Sequence, residues 1–98
     1  MSTINDLVAE AHETAIEKGW WDSPRSTLEC IALIHCELSE AVEAHRKEDN
    51  AHVIEELADV LIRVFDLCGA HNWDLEKAVT DKMAYNRHRS YRHGGKLA

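Results

Sequence analysis

The residues best suited to chemistry are four carboxylates in two pairs: Glu37 with Glu40, and Glu56 with Asp59. Residues three apart on a helix lie on the same face, one turn from each other. Two carboxylates ~4 Å apart repel by about 4 kcal/mol at an effective dielectric near 20, so a cluster needs cations or protons. Mg²⁺ and Mn²⁺ prefer oxygen ligands. The spacing therefore favours a divalent metal site, although two solvated acidic faces would show the same pattern.

Two other metal chemistries fit the sequence less well. A ferritin-like di-iron centre uses Glu-x-x-His on two helices, and the sequence contains no such motif. His35 precedes Glu37 by two residues, which places it on a different helix face. The histidines show no zinc-ligand spacing, and His88 and His93 belong to a basic segment that is typical of a surface.

Helix-capping signals divide the chain into four helices. Thr3 with Asp6 and Ser26 with Glu29 form capping boxes, and Pro24 separates the first two helical patterns. No segment alternates with a period of two, so strands are not expected. The four predicted helices run from Ser2 or Thr3 to Gly19, from Ser26 to about Lys47, from Asp49 or Asn50 to about Gly69, and from Asp74 to about Ser90.

The third predicted helix contains "IEELADVLIRVF" and is apolar around more than half of its circumference. Its polar arc is narrow and holds Glu56, Asp59, Arg63 and Asp66. A helix of this kind must be covered on more than one side, and three short helices of one chain would not cover it. The sequence therefore predicts an all-α, antiparallel bundle of about four helices, completed as a homodimer or homotetramer.

Composition limits the partners and the compartment. The 98 residues are expected to form one domain, 1–98, with a basic tail from about residue 90 to 98. The net charge of -7 argues against a nucleic-acid polymer as the ligand. Neither a signal peptide nor a membrane span is predicted, so we expect a cytoplasmic protein. Cys30, Cys36 and Cys68 lack paired spacing and are interpreted as reduced packing residues.

The fourth helix offers candidate phosphate ligands. Its apolar stripe begins at Leu75 and continues as Lys82, Asn86 and Arg89. Either the helix end leaves the core there, or these side chains turn towards the carboxylates and bind phosphate oxygens. Lys96, next to two glycines, is expected to add charge at the same place. If this helix has no such role, the next candidates are Arg25, Arg46 and Lys47.

Trp20 and Trp21 lie in the break between the first two helices. Two adjacent tryptophans do not easily both enter a core, so one is expected to cover the bundle. The other either packs as well or stacks on a nucleobase, since aromatic faces bind bases in this way. The sequence leaves these two alternatives open.

Together these segments resemble the MazG-like all-α nucleoside triphosphate pyrophosphohydrolases. The family signature is E-x-x-E, a variable spacer and E-x-x-D, here Glu37-Leu-Ser-Glu40, residues 41–55 and Glu56-Leu-Ala-Asp59. "EKGWW", "ADVLIRVFDL" and "KMAYNRHRSYRHGGK" extend the resemblance over nearly the whole chain. It implies a dimeric or tetrameric bundle with Mg²⁺ on the four acids. Many members carry a further Glu where this chain has Cys36.

The function implied by the resemblance is hydrolysis of a (d)NTP to the monophosphate and pyrophosphate, in nucleotide pool housecleaning. Water would attack the α-phosphorus, with Glu37 as the general base, and Mg²⁺ or Mn²⁺ on Glu37, Glu40, Glu56 and Asp59. Lys82, Asn86, Arg89 and Lys96 would hold the triphosphate, and Trp20 or Trp21 the base. The alternative is a non-catalytic helical module whose apolar surface binds a protein partner.

Overall fold

The computed structural model describes residues 1–89, which form four α-helices and no strand. The all-α class predicted from the sequence is therefore confirmed. None of the helices described in this range is long and apolar enough to cross a membrane. The helices are α1 (Ile4–Glu17), α2 (Thr27–Arg46), α3 (Asn50–His71) and α4 (Leu75–Arg87).

All four helices begin at the predicted capping residues. Thr3 and Asp6 form a complete capping box, with both side chain to backbone hydrogen bonds at 3.0 Å. The side chains of Ser26, Asp49 and Asp74 accept a hydrogen bond from the backbone three residues later, at 3.0–3.1 Å. Each cap satisfies a backbone N–H that has no partner within its helix.

The predicted ends of α3 and α4 are wrong by two and three residues. Gly69 lies inside α3 and does not end the helix. A Cβ atom at this position would be 2.6 Å from the Cβ of His12 on α1, so a side chain there would clash. The glycine thus allows two helices to approach closely, and α3 ends at His71, followed by the C-cap residue Asn72, whose φ is 56°. Helix α4 ends at Arg87 rather than near Ser90, which lies outside the described residues. From Asn86 onward it has no apolar side chain to pack.

Helix α3 is the centre of the chain and packs against both α2 and α1. Its Leu67 and Cys68 are buried together with Val8 of α1 and Cys30 of α2. All three cysteines are free thiols, but Cys36 is exposed, so the prediction that it packs is wrong for the single chain. Burial raises the pKa of the Cys68 thiol, which agrees with a packing role rather than a reactive one.

Helix α4 packs against α1. Asn5 on α1 donates its side-chain amide to Asp74 at 3.0 Å and exchanges two backbone to side chain hydrogen bonds with Glu76, both at 3.2 Å. The hydrogen bond from Asn5 holds the pKa of Asp74 below its ordinary value, and the bond from the Lys77 backbone N–H adds to this. These contacts fix the start of α4 beside the start of α1.

Large apolar side chains remain exposed along α2 and α3. They recur at spacings of three and four residues, which is the spacing of one helix face. On each helix this face is left uncovered by the rest of residues 1–89. The exposed residues are Leu28, Ile31, Leu38 and Val42 on α2, and Ile54, Leu57 and Leu61 on α3.

Candidate metal centre

Three of the four predicted carboxylates converge between α2 and α3. Glu37 of α2 and Glu56 and Asp59 of α3 each place one carboxylate oxygen within 4.8 Å of the other two. Glu56 is buried, Glu37 is half-buried and Asp59 is exposed. An all-oxygen donor set that is closed on one side and open on the other suits a hard divalent ion with remaining positions for water or phosphate.

Glu56 is the buried member of this acidic cluster, with 7% of its surface exposed. Its Oε1 lies 2.8 Å from Nε2 of His52, whereas its Oε2 is buried without a hydrogen-bond partner among the described residues. Burial raises the pKa of Glu56 above its ordinary value; the contact with His52 opposes this, and the nearby Glu40 and Glu37 add to it. A buried acceptor without a donor is rare and costly, and a bound cation would satisfy it.

Glu40 lies at the rim of the acidic cluster. It is exposed and does not belong to the group of three oxygens. Its negative charge nevertheless helps to raise the pKa of the Glu56 carboxyl group. Its role as a metal ligand stays a prediction.

Arg63 belongs to the site, although the sequence analysis places it in the polar arc of α3 without a role. Its Nε donates to Oε1 of Glu37 at 3.0 Å, and both side chains are largely buried, with 31% and 16% exposed. Arg63 follows Asp59 by four residues, which places both on one face of α3. This spacing is the sequence signal that places Arg63 near Asp59. It does not indicate that Glu37 of α2 contacts Arg63.

A cavity of about 540 Å³ lies beside the cluster, among α1, α2 and α3. Glu37 and Asp59 line it, as do Arg25 and Arg63. Its volume is within the range of small-molecule sites, which combine an apolar wall with a few polar groups. The apolar wall consists of Leu7, Ala11, Ala15, Ile62 and Phe65.

The two tryptophans have different surroundings. Trp20 is 56% exposed and lines the cavity. Trp21 is half-buried, does not line the cavity, and donates its indole N–H to Oδ1 of Asp66 at 2.9 Å. The guanidinium group of Arg25 lies over both rings, 5.8 Å from the centre of Trp20 and 5.3 Å from that of Trp21. Trp21 therefore anchors the α1–α2 connection, whereas Trp20 keeps more than half of its surface exposed at the cavity.

The predicted phosphate ligands on α4 do not meet the cluster within the described part of the chain. Lys82 and Arg89 lie over the ring of Tyr85, at 4.8 and 5.4 Å from its centre, and Asn86 is exposed. No residue of α4 lines the cavity or belongs to the group of three carboxylates. The reason is that α4 packs against α1 rather than α2 or α3. Lys96 lies outside the described residues.

Comparison with known proteins identifies a family for this chain. A family model described as the MazG nucleotide pyrophosphohydrolase domain matches residues 25–92, more than half of the chain. The matched region contains both carboxylate pairs, Arg25, Arg63 and α4. Comparisons with curated proteins and with solved structures give no significant match. The chain belongs to the MazG nucleotide pyrophosphohydrolase family.

Proposed function

We propose that the chain is a Mg²⁺-dependent nucleoside triphosphate pyrophosphohydrolase that converts a (d)NTP to the monophosphate and pyrophosphate in nucleotide pool housecleaning. The observation that carries this proposal is the buried Oε2 of Glu56, which has no hydrogen-bond partner within residues 1–89 and belongs to a cluster with one oxygen each of Glu37 and Asp59. The family match adds the reaction class.

The four acids fit a hard cation because all their donors are oxygens. Glu37, Glu56 and Asp59 would hold Mg²⁺ or Mn²⁺, and Glu40 would complete the set from the rim. The ion would supply charge neutralisation on the phosphates and a lower pKa for a bound water. Glu37 would accept the proton of the water that attacks the α-phosphorus. The half-buried position of Glu37 at the cavity wall suits this role.

The nucleoside would occupy the cavity beside the cluster. The exposed indole of Trp20 would stack on the base, because a base presents a flat face to an aromatic ring. Arg25 lies over that indole and lines the same cavity, so it would contribute a positive charge close to the ligand. Lys82, Asn86, Arg89 and Lys96 remain the predicted triphosphate ligands. Lys82 and Asn86 lie on α4, which packs against α1, and would reach the cavity of a second chain in an assembly.

We propose a homodimer or homotetramer built on the exposed apolar faces of α2 and α3. Leu38 and Leu61 are 46% and 54% exposed in the single chain, in the middle of those faces. Burial removes apolar surface from water and stabilises by roughly 25 cal/mol per Å². Two copies that pair these faces would give α3 the second layer that its apolar circumference requires, in an antiparallel bundle.

The experiment that tests the activity is product analysis by ³¹P NMR. Common NTPs, dNTPs and several damaged NTPs are incubated with the protein in Mg²⁺, in Mn²⁺ and in EDTA. We expect a monophosphate and intact pyrophosphate, only with metal, and no turnover for Asp59→Asn. Asp81→Asn, an exposed residue on α4, is the matched control and should stay active. Orthophosphate and a diphosphate as first products would contradict the proposal.

The second candidate function is a non-catalytic helical module, which the exposed apolar faces of α2 and α3 favour. Thermal melting separates the two functions. A ligand that binds only the folded state raises stability by RT ln(1 + [L]/Kd), so Mg²⁺ or Mn²⁺ should raise Tm if the acids form a site. An unchanged Tm with both ions, together with no turnover, would support the module.

A further inference from the structure

Arg63 contacts the acidic cluster and also lines the cavity. Its Nε donates to Oε1 of Glu37 at 3.0 Å, and its side chain also lines the cavity together with Asp59. The same guanidinium group therefore contacts a predicted metal ligand and the space in which a nucleotide would bind.

The charges of the cluster make this contact dependent on the metal. One carboxylate oxygen each of Glu37, Glu56 and Asp59 lies within 4.8 Å of the other two. Arg63 contacts Glu37, whereas the imidazole of His52 contacts Glu56. While no ion is bound, Arg63 reduces the repulsion among the acids. A divalent ion on Glu37 would take over this neutralisation and would also repel the guanidinium group. Metal binding should thus weaken the Arg63–Glu37 pair.

The released guanidinium group would face the cavity. The bond to Glu37 uses one of its five N–H donors, and their planar arrangement matches the oxygens of a phosphate. Arg25 lines the same cavity, so two arginines line it together with Glu37 and Asp59. We propose, building on the proposed function, that Arg63 couples metal binding to nucleotide binding: it neutralises Glu37 in the metal-free site and, once a divalent ion binds, donates to a phosphate oxygen of the nucleotide.

The test compares Arg63→Gln with Arg87→Gln, which changes an exposed arginine on α4. Mn²⁺ affinity is measured by electron paramagnetic resonance without nucleotide, and kcat and KM are measured on an NTP that the wild type hydrolyses. For Arg63→Gln we expect Mn²⁺ to bind about 3- to 10-fold more tightly, since a competing cation is lost, and KM to rise about 10-fold or more. Arg63→Lys should recover part of the KM effect, because it restores the charge but not the planar donors.

A purely structural role would lower Tm without moving Mn²⁺ affinity and KM in opposite directions. Unchanged or weaker Mn²⁺ binding by Arg63→Gln, or an unchanged KM, overturns the proposal while leaving the enzymatic activity in place. Failure of the wild type to bind Mn²⁺ and to hydrolyse any NTP overturns both.

If Arg63→Gln does not fold, ¹⁵N NMR of the arginine-labelled wild type tests whether Arg63 responds to metal and to nucleotide. The Nε–H resonance of Arg63 should shift when Mg²⁺ is added and shift again with an α,β-methylene triphosphate analogue. A resonance that responds to neither addition overturns the proposal.

Discussion

Nε1 of Trp21 lies 2.9 Å from Oδ1 of Asp66, and Nδ1 of His12 lies 2.8 Å from the same oxygen. One carboxylate oxygen thus joins α3 to α1 and to the α1–α2 connection. The rings of His12 and Trp21 also meet edge to face, with centres 5.6 Å apart. Since Trp20 and Arg25 belong to the same connection, Asp66 sets the position of one wall of the cavity.

Asp66→Ala should release this connection. The variant leaves the indole N–H of Trp21 and the ring of His12 without their acceptor, which typically costs about 1–3 kcal/mol of unfolding free energy. We expect the indole N–H resonance of Trp21 to exchange with solvent much faster than in the wild type. Asp81→Ala on exposed α4 is the control and should leave that exchange unchanged. Equal exchange rates in Asp66→Ala and the wild type would contradict the anchoring role.

The helices and the carboxylate pairs were predictable because both depend on local sequence. Thr3 and Asp6 are near neighbours in the chain, and the i, i+3 spacing of Glu56 and Asp59 fixes their common face without knowledge of the fold. The antiparallel order of the helices and the assembly into an oligomer stay predictions.

The contacts of Arg63 and Asp66 were not predictable in the same way. Arg63 is 26 residues from Glu37 in the sequence, and Asp66 is 45 residues from Trp21. These contacts therefore depend on how α2 and the α1–α2 connection pack against α3. The packing of α4 against α1 was not predictable for the same reason. The sequence analysis assigns its polar stripe to the carboxylates, whereas hydrogen bonds with Asn5 hold its start beside α1.

Asp59→Asn should abolish metal binding with the fold intact. Asp59 is exposed, so the amide meets no packing conflict, but the loss of a formal charge in the cluster should weaken Mn²⁺ binding by at least about 100-fold. Glu40→Gln should also remove nearly all turnover, with a smaller loss of Mn²⁺ affinity, because Glu40 lies at the rim. Circular dichroism checks the fold and electron paramagnetic resonance the affinity. The assignment of the site fails if either variant keeps wild-type turnover at saturating Mg²⁺.

Glu56→Gln should change the dependence of metal-free stability on pH. The folded-state pKa of Glu56 is raised above the ordinary value of 4.5, so the unfolded chain loses this proton first. Stability of the wild type therefore falls as pH rises from 4.5 through the raised pKa. The variant lacks this loss of stability. The difference in unfolding free energy between the variant and the wild type should therefore grow in favour of the variant as pH rises from 4.5 through the raised pKa, and then become constant.

Denaturation in EDTA across this pH range measures the effect. Glu55→Gln, at the exposed neighbouring position on α3, is the control and should follow the wild type. Saturating Mg²⁺ should reverse the order of stability, because only the wild type binds the ion with its full set of carboxylates. Parallel pH profiles for the wild type and Glu56→Gln would show that burial of Glu56 does not affect its ionisation.

Leu38→Asp and Leu61→Asp should each prevent assembly. Both residues are exposed in the single chain, in the middle of the apolar faces of α2 and α3, and a buried unpaired carboxylate at an interface is strongly unfavourable. Sedimentation velocity should show an oligomer for the wild type and a monomer for each variant. Ile16→Asp changes an equally exposed residue on α1 and should leave the assembly intact. A wild type that sediments as a monomer at micromolar concentration would contradict the predicted homo-oligomer.

Lys82→Ala and Arg89→Ala test whether α4 supplies phosphate ligands from a second copy. In the single chain both cations lie on Tyr85 and none of α4 lines the cavity, so a phosphate role requires the cavity of another chain. In that case each variant should raise KM or lower kcat/KM by about 10- to 100-fold, with little change in Mn²⁺ affinity. Arg25→Ala should show a comparable loss whether or not α4 takes part, because Arg25 lines the cavity of its own chain.

Mixing inactive chains separates the two arrangements. Asp59→Asn is mixed with an equal amount of a Lys82→Ala, Arg89→Ala double variant, and the chains exchange into heterodimers. If α4 serves the cavity of the other chain in a symmetric dimer, one of the two sites in each heterodimer combines intact acids with intact Lys82 and Arg89. About a quarter of the wild-type sites should then be restored. If α4 served the cavity of its own chain, no heterodimer would contain an intact site and activity would stay at the level of the separate variants. Unchanged kcat/KM in both single variants would instead remove α4 from the site and leave Lys18, Arg25 and Arg63 as the candidate phosphate ligands, since all three line the cavity beside the carboxylates.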